Sequence, residues 1–282
     1  MHDERPDYLR VFGVFLKNSL IRDMTFRANF LIDSFTSIVW TLMNLGFYLI
    51  IYRYTSQIGG WGQYEFFIFL ATAMLVNSIV QAFFMPNCEE LSELIRTGGL
   101  DFALLKPIDA QFLLSFQKIE WSALSNAITA TVLLGVGLSN IVGRTEQPLQ
   151  IDAGTLLLYP VYVLCGVAIM YSLMIALSAT SIWLGRNQSL YDFWFYITNF
   201  SRYPMEIYSG AYGEPLRLFF TYLIPVLVVV NVPAQLLAQP LSPFSPYRAQ
   251  LALFTILAAT VSLIASRLLF KRAIESYRSA SS

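Results

Sequence analysis

Few side chains in this sequence could do chemistry, and they are unevenly placed. The single histidine, His2, lies in the N-terminal tail, and the two cysteines, Cys88 and Cys165, are far apart in the chain. Cys88 falls at a membrane edge and Cys165 inside an apolar run, so no disulfide framework is expected. A nucleophile needs a base within reach, and a metal needs several convergent ligands. One tail histidine, with no pair of acids inside an apolar run, offers neither. No Gly-x-x-x-x-Gly-Lys-Ser/Thr phosphate loop occurs, so this chain is not expected to hydrolyse nucleotide in the usual way.

Two other patterns stand out. Amides recur within long apolar runs: Asn44, Asn77, Gln81, Asn126 and Asn199. Polar groups in lipid face protein or a cavity, so these either bond across helices or line a path. The second pattern is an acidic amphipathic stretch. Glu89, Glu90, Glu93 and Arg96 interleave with an apolar edge of Leu91, Leu94 and Ile95. Such a segment suits docking to a partner rather than catalysis. Asp192 is an acid in an apolar, aromatic stretch and a functional candidate on that ground. Its nearness to Arg186 points instead to a structural ion pair.

The elements that must position these residues are read from charge and length. The chain of 282 residues is 56% hydrophobic and only 13% charged, and its mean hydropathy is +0.56. Soluble domains carry about 25% charged residues. Charge-free runs cover Ser34–Tyr52, Phe66–Cys88, Trp121–Gly143, Ala153–Gly185, Leu218–Tyr247 and Ala249–Ser266. A spanning helix needs about 20 apolar residues. The chain is therefore an all-α membrane protein. The net charge of zero argues against a nucleic-acid partner. The charged start, Met1–Asp7, does not resemble a cleavable signal peptide.

About six transmembrane helices are expected in one domain, 1–282. The clear spans are Phe30–Tyr52, Phe66–Met85, Ser122–Val142, Thr155–Trp183 and Ala249–Phe270. Basic residues cluster at both ends of the chain, and the positive-inside rule puts both ends in the cytoplasm. The number of crossings is then even. Leu190–Tyr203 is assigned as the fifth span. Leu218–Ala238, with Pro225, Asn231 and Pro233, is assigned as a re-entrant hairpin entering from outside. On this topology only Arg53, Arg144, Arg202, Arg217 and Arg248 of the 18 Lys and Arg residues lie outside. Exchanging the roles of 190–203 and 218–238 preserves the parity and stays open.

Before the first span, residues 7–27 read as an interfacial amphipathic helix. Leu9, Phe12, Leu16 and Leu20 form its apolar side, with Arg10, Lys17, Arg22 and Asp23 on other faces. The largest cytoplasmic loop, residues 87–121, opens with a helix. Asn87 is its expected N-cap and Glu90 the capping-box partner, with acids in the first turns and Gly98-Gly99 at the end. Asp109 is expected to cap a further helix.

These residues, taken in order, resemble the permease subunits of type-2 ATP-binding-cassette exporters, in a bacterial six-span, single-domain branch. The similarity rests on Arg96-Thr-Gly-Gly-Leu-Asp101-Phe-Ala-Leu-Leu-Lys-Pro107, on Trp183-Leu-Gly-Arg186 with Leu190-Tyr-Asp192, and on Ser201-Arg-Tyr-Pro204 with Ile207-Tyr208. It extends to Ile224-Pro225 with Asn231-Val-Pro233 and to Tyr277-Arg-Ser-Ala-Ser281. The resemblance implies a connecting helix at residues 7–27 and a coupling helix at Cys88–Thr97 that docks on a separate ATPase subunit. It also implies an outer re-entrant hairpin at 218–238. ATP and Mg would be bound by that partner, with no cofactor in this chain. A second permease copy or a homologous permease would complete a homo- or heterodimer in the bacterial cytoplasmic (inner) membrane, among membrane lipids. The cargo would be a lipid, drug or other amphiphile; the resemblance alone favours export over import.

Two rivals differ in class. An ion-coupled secondary transporter would show internal repeats and paired broken helices with intramembrane acids, and no such repeat is seen here. A structural partner of another permease would need none of these features.

Overall fold

The computed structural model describes residues 7–143, 153–184, 188–238 and 246–277. His2, Arg5, Arg144, Arg186 and Arg278 lie outside the described residues, and so does the expected Asp192–Arg186 pair. The elements are helical throughout: α1 (Tyr8–Thr25), α2 (Arg27–Tyr54), α3 (Gln63–Phe83), α4 (Met85–Thr97), α5 (Gly99–Leu104) and α6 (Ala110–Phe116). They continue with α7 (Trp121–Val142), α8 (Ala153–Leu184), α9 (Gln188–Asn199), α10 (Glu214–Leu218), α11 (Val226–Ala238) and α12 (Pro246–Ser276). Among the described residues, five helices are long and apolar enough to cross a membrane: Arg27–Tyr54, Gln63–Thr97, Trp121–Val142, Ala153–Leu184 and Tyr247–Ser276. A sixth is added if the bent pair Glu214–Leu223 and Val226–Ala238 counts as one span.

The expected fifth span departs from a regular helix. Residues 190–203 form only the 12-residue α9 followed by a 3-10 turn, Phe200–Arg202. The physical cause is Pro204. It disfavours helical backbone in the residue before it, and Tyr203 is extended (φ −122°, ψ 147°). A second 3-10 turn, Met205–Tyr208, follows. The segment still leads from one end of the bundle to the other. It begins just after α8 ends, and Glu206 meets Trp61 in the α2–α3 loop, whose Nε1–H donates to Glu206 Oε2 at 3.0 Å. Below, the end carrying residues 55–62 is the loop end, and the end carrying α4–α6 is the base.

The bent pair dips into the bundle and returns. A π turn at Phe219–Leu223 precedes Pro225, and the axis turns by 90°. At the break, Leu223–Val226 share a small open pocket with Ile169–Ala176 of α8 and Ser262–Leu269 of α12, part-way along both long helices. Both arms lead back to the loop end. Gln235 donates to Glu206 Oε1 at 2.9 Å, and Tyr247 is within electrostatic reach of Glu206, Glu214 and Arg217.

The core sits where α11 is enclosed by α8 and α3. Twelve of the thirteen α11 residues are buried. Pro233 lies inside α11 and removes the N–H that would bond to the Val229 carbonyl. Gly166 of α8 lies over that carbonyl. A Cβ there would come within 2.8 Å of Val229 O, so glycine is what allows the approach. Gly137 plays the same part between α7 and α3, where a Cβ would stand 2.8 Å from Ile68 Cγ1.

Candidate functional site

At the base, α4 is locked to its neighbours rather than hung as a loop. It follows α3 after the single turn residue Phe84. Asn87 is not its N-cap: the helix starts earlier, at Met85, and Asn87 is buried in its first turns. Its amide nitrogen donates to Phe83 O, Ser115 O (3.1 Å) and Lys118 O (2.7 Å), and its oxygen accepts from Lys118 N at 2.8 Å. A buried amide with these partners is a clamp between α4 and residues 115–118, at and just after the end of α6. Glu90 accordingly pairs with Lys118 Nζ at 2.6 Å rather than closing a capping box. At the other end Gly98 is left-handed (φ +73°) and stops the helix, as its sequence implies.

Burial also revises the surface of α4. Leu91 is fully buried, and Leu94 and Ile95 pack partly against the core, so the apolar edge faces the bundle instead of a partner. Helix α8 and the α5–α6 segment occupy that side. The face open to a partner carries Glu89, Glu93, Arg96 and Thr97, with Glu93 and Arg96 paired. Asp101 is half-buried in α5. Beside this face, Phe102 is 74% and Leu105 81% exposed. Sequence pattern did not single out these two, because a six-residue helix is too short to display a periodicity.

Helix α1 rests on the same base. Asp7 caps it, accepting from Leu9 N and Arg10 N. Its packed face is Tyr8, Phe12, Phe15, Ser19, Arg22 and Asp23. Phe12 meets Phe116 and Phe83, and Tyr8 meets Phe112 edge-on. Ser19 Oγ accepts from Ile119 N at 3.0 Å, Arg22 donates to Ile119 O at 2.9 Å, and Asp23 accepts from Trp121 N at 3.1 Å. The expected apolar side is thus divided: Phe12 packs inward while Leu9 is 85% exposed. Polar residues near the end of α1 bind backbone groups of residues 119–121, a role that periodicity alone cannot reveal. Arg10 and Lys17 remain exposed.

Asp109 caps α6 as expected, accepting from Phe112 N at 2.9 Å. It also pairs with Arg267, which further donates to Gln111 Oε1 at 2.9 Å and so ties α12 to the base. Partial burial works against the Asp109 charge, but the bonds from Arg267 and Phe112 outweigh it and hold the carboxyl below the usual carboxylate range.

The amides supply the second feature. Asn44, Asn77, Gln81 and Asn126 come together on one cavity of about 340 Å³ between α2, α3 and α7. Asn199 is not on it. A neighbouring cavity of about 420 Å³ shares Ser37, Asn77, Gln81, Asn126 and Arg202, so the two form one groove. The spacing explains the convergence. Asn77 and Gln81 are one turn apart on α3, and Ser37, Thr41, Asn44 and Tyr48 follow helical spacing on α2. Asp33 and Glu120 line the second cavity alone, Tyr48 and Tyr203 the first alone, and Arg202 lines both. From Asp33 to Tyr48 the rise along α2 is about 22 Å. Asn231, in contrast, is fully buried away from the groove; its oxygen accepts from Met205 N at 2.8 Å and its nitrogen donates to Leu227 O at 2.7 Å. Its role is to hold the 205–208 turn on α11. Asp192 is exposed.

An all-helical, multi-pass membrane protein with a polar groove between its helices and a rigid base is the architecture of a transport component. A family model described as ABC-2 family transporter protein matches residues 38–281. The chain belongs to that family. No curated protein and no solved structure that was compared matches it.

Proposed function

We propose that the chain is the permease subunit of an ATP-binding-cassette exporter, moving a lipid, drug or other amphiphile across the bacterial cytoplasmic membrane. The base faces the cytoplasm, where a separate ATPase subunit binds ATP and Mg and docks on the exposed face of α4 with Phe102 and Leu105. A second permease, identical or homologous, completes the translocating pair. Helix α12 lies outside the docking face, and its basic end stays on the same side as α1.

The observation that carries this reading is the continuity from base to groove. Helix α4 is clamped by Asn87 to residues 115–118 and joins α3 after one turn residue. Helix α3 carries Asn77 and Gln81 on the groove wall. A push on α4 therefore moves the groove wall with little slack, which is the requirement for coupling ATPase closure to a path between helices.

The test is co-purification with the genomically neighbouring ATPase in mild detergent. Wild type is expected to retain it with nucleotide turnover. Glu93→Arg combined with Phe102→Ser, both at exposed positions, is expected to reduce capture about tenfold, the loss of one central anchor and one rim charge. A wild-type chain that purifies alone in several detergents, with no linked ATPase activity, rejects the reading.

A further inference from the structure

We propose that the groove binds an amphiphile whose polar part is a net-anionic phosphate or carboxylate group, anchored at Arg202; this names the cargo class for the permease reading above and rests on it. Arg202 reaches both cavities that make up the groove. Its guanidinium lies 5.4 Å from the centroid of the Phe195 ring, which fixes one face and leaves the donor edge available. Among the described residues no carboxylate pairs with it. A cation without an ion-pair partner favours an anionic ligand, and the planar guanidinium fork matches phosphate and carboxylate oxygens two at a time.

The rest of the groove defines the remainder of the ligand. Asn44, Asn77, Gln81 and Asn126 offer both donors and acceptors along the wall, which suits a polar group larger than a bare ion. Asp33 and Glu120 stand at the base end, and neither is ion-paired among the described residues. The cavity that carries Asn44 and Tyr48 has Arg202 as its one charged lining residue, whereas in the neighbouring cavity Arg202 shares the lining with both acids, so an anionic group is favoured in the first. The groove is open along its side, beside a helix whose other residues, such as Phe35 and Leu42, are exposed. An apolar tail can therefore stay in lipid while the polar part occupies the groove, and entry from the side avoids the acids at the base.

The experiment uses the full chain in mild detergent without any ATPase. Short-chain dihexanoyl phosphatidate is titrated while tryptophan fluorescence is followed, because Trp40 and Trp194 line the groove. Saturable binding is expected. Arg202→Gln is expected to weaken it about tenfold, and Arg202→Lys, which keeps charge but not the fork, about threefold. Asn77→Leu is expected to weaken it by about threefold. Three results overturn the proposal: no saturable binding to wild type, unchanged binding to Arg202→Gln, or equal binding of zwitterionic dihexanoyl phosphatidylcholine. Inorganic phosphate that binds as tightly as phosphatidate overturns the amphiphile assignment in favour of a free-anion site. If Arg202→Gln does not fold, the Lys variant decides. Because no ATPase is present, loss of ATPase capture with phosphatidate binding intact rejects the permease reading alone, and the reverse rejects the groove site alone.

Discussion

Helices α2 and α11 are both strongly apolar, yet none of the 28 residues of α2 is buried and twelve of the thirteen in α11 are. Hydropathy reports transfer out of water and does not distinguish lipid from protein as the destination. The two helices solve different problems. Helix α2 offers an apolar face outward and a polar row of Ser37, Thr41 and Asn44 to the groove. Helix α11 is enclosed by protein, so a proline and an asparagine can sit in it, the asparagine oxygen accepting from Met205 N. Broken backbone at membrane depth is tolerated where protein surrounds it. The groove wall and the fixed frame are therefore built from different helices, with α3 touching both.

Substitutions can break or sharpen this contrast. The largest effect is expected from Gly166→Leu. Even a Cβ there meets Val229 O at 2.8 Å, so α8 and α11 must separate. A loss of about 3 kcal/mol is expected, at the upper end of overpacking costs, read as a large fall in thermal midpoint in detergent. An unchanged midpoint would show that the contact is not tight. Next, Asn231→Leu keeps the volume but leaves the Met205 N–H buried without its acceptor. About 2 kcal/mol should be lost, with nucleotide-linked ATPase capture retained if the base is intact. The smallest change is expected from Leu42→Ala on the exposed face of α2, within about 0.5 kcal/mol. A fall well beyond that would mean a second chain covers this face, and cross-linking through a cysteine at that position would locate it.

Much of the frame was legible in sequence. The five long helices lie where charge-free runs of adequate length predict them, because lipid excludes unpaired charge and unpaired backbone from such runs. Gly98 and Asp109 act locally, as a left-handed stop and an N-cap, and local rules find them. The misreadings share a cause. Asn87 has the composition of a cap, but its amide is used by residues 115–118, nearly 30 positions away. Leu91 lies on an apolar edge that could serve a partner or the bundle, and only the position of α8 settles that it serves the bundle. The Tyr8–Asp23 face of α1 mixes aromatic and polar residues, so an apolar stripe drawn by periodicity follows a different line. Leu190–Tyr203 has the apolarity of a span, but Pro204 shortens its helix.

By itself the sequence determined an all-α, multi-pass membrane protein, the places of its long helices, and the residue types available to a path or a docking surface. These follow from the cost of charge in lipid and from local backbone chemistry, both of which act within a helix. Tertiary structure decided which of five amides share a groove, which cation lines it, and which apolar edge is spent on the core. Those outcomes depend on how separate helices rotate and pack against one another, and residues 33, 77, 120 and 202 become neighbours along one groove only through that packing.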